Sequence, residues 1–275
     1  MGIRINTNVA SINTQRHLYN STINFNRSME KLSSGLRINR AADDAAGLAI
    51  SEGLKSDIRA LGQASRNASD GISLVQTAEG ALDEVSNILL RMRELTEQAL
   101  NGTVTNTERG YLDHEYQALI EEIDRIASST EFNGISLLDG SAGASIAIQV
   151  GVNTNTYDSI AVDITSPRDA ASLGLTGTID SEAAAVLSMA EILSATDTVS
   201  SARSDFGAVQ NRLETSIRNI NNQSENLAAA NSRIRDVDVA KETSSLTSFQ
   251  ILKQAGVSML AQANVTTGLA MKLLG

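Results

Sequence analysis

Residues 45–100 form a run of 56 positions without a proline. Within it Leu54, Ile58, Leu61, Ala64, Ala68, Ile72, Val75, Ala78, Leu82, Val85, Leu89, Met92, Leu95 and Ala99 succeed one another at steps of three or four. Those 13 steps cover 45 residues, close to the 3.5-residue period of a supercoiled helix. A helix of that length would reach roughly 84 Å, wider than any compact domain of this size. The spacing therefore predicts a mainly α chain: an elongated antiparallel helical rod, coiled-coil-like, in which other segments cover this seam. Gly53, Gly62, Gly71 and Gly80 interrupt the run every nine residues, so alternate glycines face opposite sides. Each costs about 1 kcal/mol against alanine, and the expectation is that neighbouring helices approach closely on both sides.

A partner is visible in the second half. From Val199 the series Ala202, Phe206, Val209, Leu213, Ile217, Ile220, Ser224, Leu227, Ala230, Ile234 and Val237 keeps the same period. Between the two lie a helix over 107–129, opened by Thr107, and a change of period. Ile146, Ile148, Val150 and Val152, then Ile160, Val162 and Ile164, alternate around a turn-like Asn153–Thr156, which reads as one small β-hairpin over 145–165. Residues 166–180, with the single proline Pro167, read as loop. Helix resumes over 181–237. The expected organisation is 1–36 as an N-terminal helix, 37–44 as a linker, 45–236 as the rod and 237–275 as a C-terminal helix. Asp43 or Asp44 caps the long helix in this reading.

The two ends differ from the rod. Residues 1–36 carry a thin stripe of Ile5, Val9, Ile12, Tyr19, Ile23, Met29, Leu32 and Leu36. Beyond Thr243 the only charged residues are Lys253 and Lys272, and apolar residues, including Phe249, Leu252, Met259, Leu260, Leu269 and Leu273, point several ways. A helix apolar on most sides must be buried. One polar-rich helix cannot cover it within one chain, whereas other copies of the chain can.

Composition narrows the function class. Aromatic residues make up 3% of the chain against 41% hydrophobic, which suits thin aliphatic seams rather than a globular core. A net charge of −10 argues against nucleic acid and against anionic lipid. Without cysteine there is no disulfide or thiolate metal site. No cleavable leader and no membrane-spanning run is expected. His17 and His114 lack a metal-ligand partner at the required spacing, and Asp43–Asp44 and Asp236–Asp238 lie where helix caps are expected. No phosphate-binding or nucleophile-elbow motif appears, so neither enzyme chemistry nor a cofactor is expected.

The residues themselves resemble a family. Lys31 to Leu54 (KLSSGLRINRAADDAAGLAISEGL) and Asn67 to Leu82 (NASDGISLVQTAEGAL) are similar to the N-terminal signature of bacterial flagellin. So are Arg91–Leu95, Glu122–Arg125 and Phe132–Gly134. Ala229 to Asp238 (AANSRIRDVD) and Gln254 to Asn264 resemble its C-terminal signature. The resemblance covers about residues 1–140 and 185–275, with the family's variable middle cut down to little more than the hairpin. It implies a filament subunit for swimming motility, exported unfolded through the flagellar type III apparatus to the outside of a bacterium and polymerised under a cap. The terminal helices would form a separate coiled-coil layer inside the polymer. The implied partners are copies of itself, an export chaperone, and the cap and hook-junction proteins. Arg91, Leu95 and Glu115 match family positions recognised by an innate immune Toll-like receptor. A hook–filament junction protein, or a secreted adhesin or immune ligand, stays open as an alternative.

On these readings Ile5, Val9, Ile12, Ile23, Met29, Leu32, Phe249, Leu252, Met259, Leu260, Leu269 and Leu273 are expected at contacts between copies. Leu54, Ile58, Leu61, Ile72, Val75, Leu82, Val85, Leu89, Phe206, Val209, Leu213, Ile220 and Leu227 are expected along the rod seam.

Overall fold

The structure is a computed structural model. It describes residues 7–141, 143 and 145–274, with side chains described as far as residue 265. The helices are α1 (Val9–Ser34), α2 (Ala45–Ala99), α3 (Asn106–Ser129), α4 (Glu182–Arg235) and α5 (Val239–Leu274). The expected mainly α chain with a small hairpin is what the structure contains. By contacts the chain divides into two units, Met1–Ser56 with Asn226–Gly275, and Asp57–Glu225. The division falls inside α2 and α4.

In the unit 57–225, α2 and α4 run antiparallel. Arg203 pairs with Asp83 at 2.9 Å, and Leu213 lies beside Gly71. Leu82, Val85, Leu89, Met92 and Leu95 share one core with Tyr116 and Ile123 of α3 and with Ile192, Val199 and Phe206 of α4. The start of α3 differs by one residue from the expectation. Thr105, not Thr107, precedes the helix, because only it has a glutamate three residues on. Glu108 accepts from the Thr105 amide at 2.8 Å while the Thr105 hydroxyl accepts from the Glu108 amide. Arg109 is buried and closes the corner, donating to the Ala99 carbonyl at 2.7 Å and to Asn106 Oδ1 at 2.9 Å. It thereby satisfies a carbonyl left open at the end of α2.

The expected hairpin is present as β3 (Ile146–Gln149) antiparallel to β4 (Ser159–Val162), with Ile146 opposite Val162 and Ile148 opposite Ile160. Its strands are shorter than the alternation suggests, although the Val150 amide still donates to the Asp158 carbonyl at 2.7 Å, one step beyond the last strand pair. A second small hairpin, β1 (Glu131–Phe132) with β2 (Ile135–Ser136), surrounds Asn133–Gly134. Both turn residues have positive φ, 52° and 76°, as a tight hairpin turn of this hand requires.

Residues 166–180 carry no helix or strand, yet this segment belongs to the core. Ala170, Leu173, Leu175 and Ile179 are buried. Side chains of α3 and α4 satisfy its backbone. Asp124 accepts from the Ala170 amide at 2.7 Å, Asp113 from Ile179 at 2.8 Å, and Glu191 from Gly177 at 3.0 Å. A buried loop is tenable only when its polar backbone is paired in this way.

The four glycines that recur every nine residues in α2 do not behave alike. A Cβ on Gly71 would stand 3.1 Å from Ile148 and 3.3 Å from Leu213, so the hairpin and α4 both crowd it. Gly53 and Gly80 have open space, and Gly62 meets only Arg66 of its own helix at 4.0 Å. Of these four, only Gly71 is approached closely by other segments of the chain, because the hairpin crosses the helix there. Gly80→Ala should therefore stabilise the monomer by about 1 kcal/mol through helix propensity. Gly71→Ala should gain nothing or lose stability. Urea denaturation of the two variants separates them, and equal gains at both positions would contradict this packing.

Candidate assembly surface

The unit Met1–Ser56 with Asn226–Gly275 holds both terminal helices. They run antiparallel. Asn8 donates to the Ala263 carbonyl at 2.9 Å, and Ser11 to Asn264 Oδ1 at 3.1 Å. Further along, Leu18 lies against Gly256, where a Cβ would stand 3.2 Å from its Cδ1. Lys253 Nζ sits 5.2 Å from the centre of the Phe25 ring. Ser11, Leu18 and Phe25 are seven residues apart, so a heptad face of α1 meets α5. Leu18 and Phe25 are missing from the apolar stripe traced on the sequence. That stripe, through Val9, Ile12, Tyr19 and Ile23, follows the opposite face of α1.

The pair is inverted relative to an ordinary helix hairpin. The fully buried side chains of α1 are Ser11 and Ser28. Many large apolar groups are outside: Val9 is 58% exposed, Ile12 57%, Leu252 53% and Met259 62%. Tyr19, Met29, Val239, Ile251, Val257 and Val265 are exposed as well. Ile23, Leu32, Phe249 and Leu260 are half-buried. Ile5 lies outside the described residues, as do the side chains of Leu269 and Leu273.

The joint between the terminal helices and the long ones is tightly bonded. α1 ends at Gly35 with φ 72°, and α5 is capped by Asp238, whose Oδ1 accepts from Lys241 at 3.1 Å. The two breaks meet: Leu36 bridges Asp236, the Arg37 amide donates to the Arg235 carbonyl at 2.6 Å, and Val237 donates to Gly35 at 3.0 Å. Ile38 is buried above Gly47, whose missing Cβ would clash with it. Asp44 caps α2 by accepting from the Gly47 amide at 2.8 Å. Asp43 has a different task. It accepts from the amides of Arg40 and Asn39, and these bonds, the Arg40 one first, hold its carboxyl below the ordinary carboxylate range. Among the described residues no cluster of His, Asp and Glu could hold a metal ion, and no helix is long and apolar enough to cross a membrane.

Comparison with known proteins decides the family. Residues 5–143 match the bacterial flagellin N-terminal helical region, and 189–274 the C-terminal helical region. The chain belongs to the flagellin family. It is 50% identical over 277 residues to a flagellin of Halalkalibacterium halodurans, covering 98% of this chain and 99% of that one. It is 42% identical over 287 residues to the flagellar filament 33 kDa core protein of Treponema phagedenis, again covering 98% and 99%. The crystal structure of Bacillus cereus flagellin superposes with a TM-score of 0.51 at 37% identity, covering 60% of this chain and 94% of that one. Membership of this family makes the chain a structural protein rather than an enzyme.

The remaining positions singled out in the sequence of this flagellin fall in two environments. Leu61, Val75, Leu82, Val85, Leu89, Phe206, Leu213 and Ile220 are buried, whereas Leu54, Ile58, Ile72, Val209 and Leu227 are half-buried. Arg91, Leu95 and Glu115 do not form one surface. Arg91 pairs with Glu115 at 2.8 Å and with Glu94 at 3.0 Å on the outside, while Leu95 is 1% exposed inside the core.

The joint carries a pH signature. Because Asp43 has a depressed pKa when folded, its contribution is present above the ordinary carboxylate range and is lost as pH falls through the folded value. Asp43→Asn should reproduce that loss at neutral pH. Amide exchange at Asn39 and Arg40 should accelerate while the α2–α4 core keeps its protection; unchanged exchange at both amides would contradict the assignment.

Proposed function

We propose that this flagellin polymerises through its terminal helices into the extracellular bacterial flagellar filament. The observation that carries the reading is the outward apolar surface of α1 and α5. Burying apolar surface is favourable at about 25 cal/mol per Å², and a single copy leaves this surface in water. Residues 1–36 and 237–275 supply the separate coiled-coil layer of the polymer, and the 37–44 segment links this part of the chain to the 45–236 rod. Ordering of the ends is coupled to the arrival of neighbours, and a head-to-tail contact that does not close yields an open helical polymer.

The same surface explains the other partners that the resemblance implies. Export by the flagellar type III apparatus requires an unfolded chain. A chaperone that covers the apolar C-terminal segment before export keeps it from associating early. The cap and hook-junction proteins meet the growing polymer at its ends. For host recognition by a Toll-like receptor, Arg91 and Glu115 are the groups with outward surface. Leu95→Asp would damage the core, so Arg91→Ala is the variant that isolates this contact. Receptor activation by Arg91→Ala monomer equal to that of the parent would reject it.

Purified protein seeded with filament fragments should grow fibres visible by negative-stain microscopy. Deletion of 240–275 should abolish growth. Leu252→Asp and Met259→Asp, which leave the long helices untouched, should each raise the critical concentration by roughly tenfold or more, since a buried unpaired carboxylate is costly. Normal growth of the deletion or of both point variants would overturn the reading.

A further inference from the structure

The outward face of α1 carries more than apolar groups. Val9, Ile12, Arg16, Tyr19, Ile23, Asn26 and Glu30 follow one another at alternating steps of three and four, away from the α5 side. Arg16 and Glu30 therefore occupy equivalent places in the heptad pattern, two whole heptads apart. Glu30 is the only acidic residue of α1, and α5 has only Glu242. Arg16 is exposed and its guanidinium donates to Asn13 Oδ1 of its own helix at 2.7 Å. If this stripe is buried between copies, the guanidinium needs an acceptor on the other copy, because an ion buried without one is strongly unfavourable.

We propose that neighbouring copies pack parallel through this stripe with a two-heptad offset, so that Arg16 of one copy meets Glu30 of the next. The offset is 14 residues, roughly 21 Å of helix. It places Val9 opposite Ile23 and Ile12 opposite Asn26, so the first half of the stripe on one copy meets the second half on the next. A charged residue at a single core position sets register in coiled coils at a cost in stability, and here opposite charges sit one offset apart. Unshifted packing would bring Arg16 against Arg16 and Glu30 against Glu30. Glu30 already accepts a forked pair of bonds from Arg40, at 3.0 Å from Nε and 2.9 Å from Nη2, but Arg40 is 70% exposed and the pair is screened by solvent. A carboxylate also has lone pairs for a second guanidinium. Each copy then offers Arg16 in one direction and Glu30 in the other, which makes the contact open-ended. The proposal rests on the terminal helices being the polymerising part.

The chain has no cysteine, so engineered thiols report cleanly. In an Arg16→Cys/Glu30→Cys variant the two thiols of one copy lie roughly 21 Å apart along one helix, beyond disulfide reach. Mild oxidation of its filaments should give a ladder of linked dimers, trimers and longer chains. Arg16→Cys alone should give none. Separately, Arg16→Glu and Glu30→Arg should each raise the critical concentration by roughly tenfold. An equal mixture of the two should polymerise nearly as well as the parent, because each copy then faces an opposite charge. Arg40→Gln, which removes the bridge within the chain, should polymerise normally. Filaments that give no ladder, or a mixture no better than its components, overturn this register and leave the filament reading standing. Failure of the parent chain to polymerise overturns both.

Discussion

The arrangement that everything else depends on is the inverted packing of α1 against α5. A stable helix pair places its large apolar groups inside. This one places Ser11, Leu18 and Gly256 at the contact and adds a cation over the Phe25 ring, leaving Ile12, Leu252 and Met259 in water. Small residues let two helices lie close without burying much surface between them. Much of the apolar surface of these helices therefore remains for contacts outside the chain. The unit 57–225 follows the opposite rule, with Leu82, Leu89 and Met92 inside and ion pairs such as Asp83–Arg203 outside. One part of the chain is finished by its own contacts and the other leaves large apolar side chains in water.

The joint reconciles these two roles. The chain breaks helix at Gly35 and again before Asp238, and the two breaks are bonded to each other through Leu36 and Asp236. Asp43, Asp44 and Asp238 stand in sequence where helix caps are expected. In the structure each spends its oxygens on backbone amides. Asp44 and Asp238 thereby fix where α2 and α5 start, and Asp43 holds the turn before α2.

Long-period features were legible in the sequence because they repeat. The 3.5-residue spacing in 45–100 and after Val199 marks α2 and α4, and the alternation around 146–164 marks the hairpin. What escaped is governed by single contacts. Leu18 and Phe25 fall on a heptad with Ser11, but a stripe drawn through apolar residues alone skips serine and lands on the other face. The 166–180 loop has no period, and its burial depends on Asp113, Asp124 and Glu191, which are far away in sequence. Asn133–Gly134 was readable as a hairpin turn by its dipeptide, yet its strands are two residues each. The glycines of α2 show the limit most clearly. Their spacing is regular, but only Gly71 meets the hairpin, and spacing cannot say where a hairpin will cross.

Backbone hydrogen exchange on the free chain and on the polymer tests the central claim most directly. The account predicts that amides of α1 and α5 gain strong protection on polymerisation, while the α2–α4 core within 57–225, already closed by its own contacts, changes little. Terminal helices equally protected in the free chain and in the polymer would contradict it.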